Sequence, residues 1–462
     1  MQTILTSYKP CLIMHTKVCI LLICGFLLFG CTQTEKQIMP NLNQDAPKNP
    51  FDSQPKPGDN EPVNNTSEPT VFYPLSRDYF GLSAQQTTAN VTSAIGPQRV
   101  GVILFQIPDA PKVERTATEI SDDIFDLTNP CSFNYFLMQS SYGKTWLANS
   151  GVTPWLTIQL PYGMVSANDE VITPADPYLD YSKIDRLFII GAEENASHAI
   201  NPSEQTFTTN EGTQRVVVTR ADYDTLGFSY SICGQLRVRG YSVLAHEYAH
   251  SLTPDGIPHS GLLLCGEKPL VLNGRELSDD CSVDIDLLDQ LGVGLGHYNA
   301  IIKEKLGWLS QSQVIVVEQS GTYTLHPIES QNQTTVVLKI PRVNCSITGN
   351  DLDACGGDGT GWYYLEYHRL PVSINDIWNT SGIQIRIDGF LGNKNRKSDV
   401  VFGSDYLVSN LLKIVPETER QTERYALNTN ETFIDPFNGT KITPLNITNQ
   451  EAQIQIEYHA PA

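Results

Sequence analysis

Val243-Leu244-Ala245-His246-Glu247-Tyr248-Ala249-His250, with His259 nine residues further on, is the stretch on which the reading of this chain turns. On a helix, residues four apart stack on one face, so His246 and His250 aim two imidazoles at one point. Glu247 stands beside the first of them, where its carboxylate reaches a water held there. Two neutral nitrogen donors, a third donor from outside the helix and an open position suit a catalytic zinc ion. Such an ion lowers the pKa of its water to about 7, and Glu247 would take the proton as that water attacks a carbonyl. The bland alternative is a chance pair of histidines on an ordinary amphipathic helix, so the flanking sequence has to decide. Leu244, Tyr248 and Leu252 recur every four residues and form an apolar stripe beside the histidine face. Pro254 follows where the pattern should stop. Upstream, Leu226 to Ile232 alternates apolar and small polar residues, which predicts a half-exposed strand able to pair with an extended peptide.

Gly256 and His259 stand in a G-x-x-H relation beyond the helix. Here the chain resembles the metzincin zinc peptidases, which read H-E-x-x-H-x-x-G-x-x-H, with three residues inserted at Thr253 to Asp255. The resemblance implies His246, His250 and His259 as zinc ligands and Glu247 as general base. A turn of Pro254, Asp255 and Gly256 can absorb the insertion, because these residues favour tight turns. Two competitors for the third position stay open: Asp255, since carboxylates also bind zinc, and Glu304, the ligand expected of a Glu-type zinc protease. The stretch from Leu291 to Leu309 is similar to the gametolysin family and the immune inhibitor A-like peptidases. There a Met-Gly turn beneath the zinc precedes a glycine-rich loop and a helix ending in Leu-Gly-Trp. Leu306-Gly307-Trp308 fits that ending, whereas Leu291 stands where the methionine would be, a nearly volume-conserving exchange. Ser132 to Gly143 looks like the first helix and Ser-Tyr-Gly turn of these peptidases. Gly321 to Leu325 and Trp362 to His368 look like strands of the β-domain that follows their catalytic domain. The likeness spans Arg99 to Gly389, and it implies a protein or peptide substrate. His297 and His368 read as structural histidines, exposed or hydrogen-bonded.

The first thirty residues read as an export signal. Lys9 and Lys17 make a basic leader, and Val18 to Phe29 is an apolar run too short for a comfortable membrane span. It ends in Leu28-Phe29-Gly30-Cys31, which resembles the bacterial lipobox, so Cys31 is the expected acylated residue. Its acyl chains would anchor the protein to a membrane. Thr32, in place of an aspartate, favours the outer membrane of the bacterial cell envelope where the cell has two membranes. Residues 31–70 carry Pro40, Pro47, Pro50, Pro55, Pro57, Pro62 and Pro69 and few large apolar side chains, which predicts a disordered, semi-extended tether.

Two folded parts are expected beyond it: a catalytic domain over 71–310 and a β-rich domain over 311–462, giving an α+β chain with a zincin-like mixed sheet followed by a β-sandwich. Val100 to Gln106 and Leu187 to Gly191 are short apolar runs that read as buried strands. Val314 to Val317, Thr335 to Ile340, Gly361 to Tyr367, Gly382 to Ile387 and Ile454 to Tyr458 are strand-like runs between turn clusters.

The chain has 10 cysteines and a formal charge of −20. Cys11, Cys19 and Cys24 belong to the signal and Cys31 to the anchor. Cys131, Cys233, Cys265, Cys281, Cys345 and Cys355 form an even set, as disulfides in an exported chain require. Cys345 with Cys355, and Cys265 with Cys281, are the local pairings expected. The acidic balance disfavours nucleic acid as a partner and leaves anchoring to lipid alone. Asp279, Asp280, Asp284, Asp286 and Asp289, and likewise Asp351, Asp353 and Asp358, offer oxygens to calcium. They lack EF-hand spacing, so solvated acidic loops are the favoured reading. The function expected is zinc-dependent endopeptidase activity. The alternative is a non-catalytic surface-binding lipoprotein that keeps the fold without the chemistry, for which the lengthened connection to His259 and the missing methionine speak.

Overall fold

The structure is a computed structural model that describes residues 94–108, 113, 115–129, 131–159, 168–192, 200–222, 243–253, 257, 259–265, 272–273, 276–277, 281–286, 288–292, 296–331, 334–344, 360–368, 382–388, 407–412, 425–435 and 438–460. The chain divides into two units, Met1–Glu68 and Pro69–Ala462, and every described residue belongs to the second. The signal, Cys31, the tether and the strand expected over Leu226 to Ile232 lie outside the described residues.

The described residues mix α and β structure, with few helices against several sheets, an arrangement compatible with the expected α+β class. The first sheet is built from β1 (Gly96–Gln106), β2 (Thr145–Thr157), β3 (Arg186–Ala192), β4 (Ile200–Thr209) and β5 (Gly212–Asp222), in the order β2-β1-β3-β5-β4. Its inner strands run parallel and only β4 is antiparallel, to β5. A parallel sheet needs cover on both faces, and the side chains of β1 supply it alternately. Val100, Val102 and Leu104 pack into one core with α1 (Ala117–Phe125), α2 (Phe133–Ser140) and α4 (Val243–His250). Ile103 and Phe105 face the opposite core, with Val171, Ile172 and Ala175 of α3 (Asn168–Ala175). Both apolar runs read as buried strands are thus β1 and β3, and β3 is buried along its whole length.

Local signals place the helices of the first core. Ser132 accepts a hydrogen bond from the Tyr135 amide at the start of α2, as an N-cap should. Beyond that helix, Tyr142 and Gly143 take positive φ values of 56° and 75°, which forms the Ser-Tyr-Gly turn. Asn299 caps α5 (Ala300–Lys305) through the Ile302 amide. Gly307, at φ 70°, ends that helix as its sequence position predicts.

The second sheet draws strands from both sides of residue 310. Its order is β10-β12-β13-β14-β15-β6-β9, comprising β6 (His259–Cys265), β9 (Cys281–Ile285), β10 (Val314–Val316), β12 (Val337–Asn344), β13 (Thr360–Tyr367), β14 (Ile383–Asp388) and β15 (Leu407–Leu412). A two-stranded ribbon, β7 (Leu272–Asn273) and β8 (Glu276–Leu277), lies between β6 and β9 in sequence. A four-stranded antiparallel sheet, β11 (Gly321–Leu325), β16 (Phe433–Ile434), β17 (Lys441–Ile447) and β18 (Ala452–Glu457), shares one core with the second sheet. Leu338, Tyr363, Leu365, Ile385 and Ile387 meet Leu325, Ile442, Ile454 and Ile456 there. Helix α5 joins the first core to the second sheet. Ile302 and Leu306 enter the first core, while Ala300 and Ile301 pack on Val337 and Tyr364.

Cys265 stands opposite Cys281 in the β6–β9 ladder, in the register that the expected pairing needs. Cys131 is disulfide-bonded. Cys233, Cys345 and Cys355 lie outside the described residues.

Candidate metal centre

Helix α4 is held from both ends of its inner face before any ligand is considered. The buried Arg186 guanidinium lies 5.1 Å from the Tyr248 ring centroid and donates through Nη1 to the Ser251 carbonyl (3.1 Å) and hydroxyl (2.6 Å). Its Nε donates to Gln98 on β1 (2.9 Å), so the C-terminal end of α4 is tied to the sheet. The Tyr298 hydroxyl donates to the Ala245 carbonyl (2.8 Å). Tyr248 also meets Phe133 edge-on at 5.2 Å. Leu291, in the place of the expected methionine, is fully buried in the same core as Leu244, Ala245, Tyr248 and Ala249.

Held this way, α4 presents His246 and His250 to His259, the first residue of β6. One ring nitrogen from each of the three lies within 4.8 Å of the others, so the histidines are close enough to hold one metal ion. Among the described residues no other grouping of histidine, cysteine and carboxylate has that geometry. Glu304 is engaged elsewhere: Lys339 lies 3.1 Å from its carboxylate, and the Tyr364 hydroxyl donates to it. Asp255 lies outside the described residues.

The hydrogen bonds of the rings decide which nitrogens face inward. The Nδ1 of His246 is 2.8 Å from the Gln290 carbonyl, and that of His250 contacts the Ile257 carbonyl. A carbonyl only accepts, so both Nδ1 atoms carry the hydrogen and both Nε2 atoms are bare. Those two Nε2 atoms face each other at 3.3 Å. Neither can donate to the other, so their lone pairs repel unless a cation lies against them. Protons are a poor choice of cation here. Burial pushes the His246 pKa down to about 3, with His250 adding to the effect, and burial pushes His250 to about 4. Neutral imidazoles are the form that a metal requires.

Glu247 completes the arrangement. It is 6% exposed, and its Oε2 has no hydrogen-bond partner among the described residues. Burial raises its pKa to about 7. A buried carboxylate oxygen without a partner is costly, by about 1–3 kcal/mol or more, so the position is far from neutral for folding. The donor set, the facing lone pairs and this carboxylate together fit a divalent ion and a water to be deprotonated.

Some of the site escaped the sequence reading. The carbonyls of Gln290 and Ile257 orient two ligands, yet a carbonyl has no side-chain signature. Asp286 and Asp289 were expected in a solvated acidic loop, and both are fully buried instead. Asp286 pairs with Arg386, and Asp289 accepts bonds from Ser260, Leu291 and Asn299. The signal was their setting: Val283, Ile285, Leu287, Leu288 and Leu291 interleave with them, and carboxylates in an apolar run are buried ones with partners. Asp279, Asp280, Asp351, Asp353 and Asp358 lie outside the described residues. His297 and His368 are buried: His297 lies 3.5 Å from Lys303, and His368 bonds Glu329 at 3.0 Å.

Gly292 shows how tightly the segment beneath the histidines is packed. A Cβ there would sit 1.8 Å from the Asp286 carbonyl oxygen, so the backbone itself forbids a side chain. Gly292→Ala should therefore destabilise the fold by about 1–3 kcal/mol, the range for forced overpacking. Urea unfolding measures it, and an unchanged midpoint would show that the close approach is soft.

No protein-family model matches the chain, and no curated protein matches it.

Proposed function

We propose that this protein is a zinc-dependent endopeptidase with a zincin-like catalytic core, carried on a bacterial cell-envelope lipoprotein anchored through Cys31. The observation that carries the reading is the convergence of three imidazoles, two of them on the helix that also carries the buried Glu247, whose Oε2 has no hydrogen-bond partner among the described residues. His246, His250 and His259 would hold zinc through their ring nitrogens. Zinc, when bound, supplies Lewis acidity toward water and toward the scissile carbonyl. Glu247 takes the proton of the attacking water and returns it to the leaving amine. Its raised pKa suits that exchange near neutral pH, because a base poised there both accepts and releases a proton. The Gln290 and Ile257 carbonyls hold the His246 and His250 rings in the tautomer that leaves Nε2 bare. Three imidazole donors would suit zinc as the ion held there. Peptide as substrate rests on the resemblance to the metzincin peptidases, the lipid anchor on the lipobox-like Leu28 to Cys31, and the outer-membrane location on Thr32 in place of an aspartate.

Metal analysis of the purified protein, with casein hydrolysis before and after a chelator, tests this. Stoichiometric zinc, and cleavage that disappears on chelation and returns with zinc, is the expected result. Zinc without any cleavage would leave the non-catalytic binding lipoprotein in its place, and a protein that binds no divalent metal would end the peptidase reading. The third ligand has its own test. His259→Ala should lower zinc affinity by at least about 100-fold, whereas Glu304→Ala leaves zinc bound, because its carboxylate serves Lys339 and Tyr364. Competition with a chromophoric chelator reads both, and the reverse order would move the protein to the Glu-type proteases.

A further inference from the structure

The first and third histidines reach the centre on different elements, α4 and β6, so something must hold those elements in one register. We infer that Asp289 is the positioning residue that does so, an inference that rests on the metal-centre reading above. Its Oδ1 accepts from the Ser260 hydroxyl and from the Leu291 amide, both at 2.7 Å, and its Oδ2 accepts from the Asn299 amide at 2.5 Å. The Asn299 side chain closes the ring by donating to Ser260 Oγ (3.0 Å), and the Ser260 amide donates to the Leu291 carbonyl (3.0 Å). Asp289, Ser260 and Asn299 are all fully or almost fully buried.

The neighbours of these atoms give the knot its meaning. Ser260 follows His259 directly. Asp289 precedes Gln290, whose carbonyl accepts the His246 Nδ1–H. Asn299 caps α5 and precedes the helix that packs the first core on the second sheet. One carboxylate therefore locks the strand of the third ligand, the carbonyl that orients the first and the start of α5. It touches no reacting group, so its role is positional.

The chemistry demands a carboxylate here. All three partners donate, two of them backbone amides that cannot change roles. An asparagine of the same shape presents an NH2 either to the Leu291 amide or to the Asn299 amide, donor against donor in both orientations. Asp289→Asn thus breaks the knot with almost no change in volume. Ser260→Ala removes a single hydroxyl and keeps both amide bonds to Asp289.

The test measures zinc affinity by chelator competition and the visible spectrum of the cobalt-substituted full-length protein, with Tyr364→Phe as a control variant. Supporting-partner losses typically weaken metal binding by about 10–100-fold, which is the fall expected for Asp289→Asn, together with an altered cobalt spectrum. Ser260→Ala should show a smaller fall in the same direction. Tyr364→Phe loses a bond to Glu304 outside the knot, and it should leave both affinity and spectrum as they are. Wild-type affinity and spectrum in Asp289→Asn would overturn the assignment while leaving the metal centre standing. If Asp289→Asn does not fold, Ser260→Ala decides, and no change in either readout overturns it. A wild-type protein that binds neither zinc nor cobalt removes the metal centre itself, a result separate from both.

Discussion

Glu247→Gln is expected to lower kcat/KM for peptide hydrolysis by about 10²–10⁴-fold, the usual contribution of a positioned general base, while zinc stays bound. The exchange keeps size and shape and removes only the ability to take a proton. It should also make the metal-free protein more stable, not less. Burial raises the folded pKa of Glu247 to about 7, from an ordinary value of 4.5. Between those values the folded protein holds a proton that the unfolded chain has lost. Stability therefore falls as pH rises from about 4.5 through about 7, by about 3 kcal/mol for a shift of this size. Glutamine has no such term. His246 and His250 act in the opposite sense, since burial lowers their pKa values and the unfolded chain binds more protons up to about 6.5. Comparing wild type with Glu247→Gln cancels the histidines. The gap between their Tm values, measured without metal, should open between pH 4.5 and 7 in favour of the variant. A variant that still cleaves casein, or one whose Tm falls at neutral pH, would remove Glu247 from the role of base.

Arg386→Met is expected to destabilise the whole fold by about 3–5 kcal/mol, against a typical domain stability of about 5–15 kcal/mol. Arg386 is fully buried and bonds Asp286 through Nη1 and Glu366 through Nε. Methionine fills much of the same space but leaves two carboxylates in the interior without their cation. Glu366 cannot simply move: its Oε2 accepts from the Ala300 amide at the start of α5 (2.7 Å), and His368 lies 3.1 Å from its Oε1. Burial alone would raise the pKa of Glu366, yet Arg386 and His368 hold it well below the usual carboxylate range. That contribution to stability is present above the unfolded pKa near 4.5 and is lost as pH falls further. The variant should thus lose most at neutral pH and approach wild type in acid. Urea titrations at pH 7 and pH 4 measure the difference. A loss under about 1 kcal/mol at pH 7 would mean that the ion pairs are not holding the sheet to α5.

Short-range chemistry was readable from residues alone. The four-residue spacing of His246 and His250, the turn at Gly307 and the apolar runs of β1 and β3 are set by backbone geometry over one or two turns. Asp286 and Asp289 are buried although charge by itself argues for solvent. Only the arrival of Arg386, a hundred residues later, makes burial of Asp286 affordable.

What the sequence by itself determined, then, is the helix that sets His246 and His250 on one face, with Glu247 beside the first of them, and buried strands such as β1 and β3. The tertiary structure brought a third imidazole to that pair. His259 reaches it as the first residue of β6, a strand paired in parallel with β15 from Leu407 onward. Such pairing closes a loop of well over a hundred residues, and no local preference encodes a contact that exists only once two distant strands share a sheet. The same holds for the carbonyls that orient the rings: every residue has one, and only the folded path chooses which of them faces a histidine.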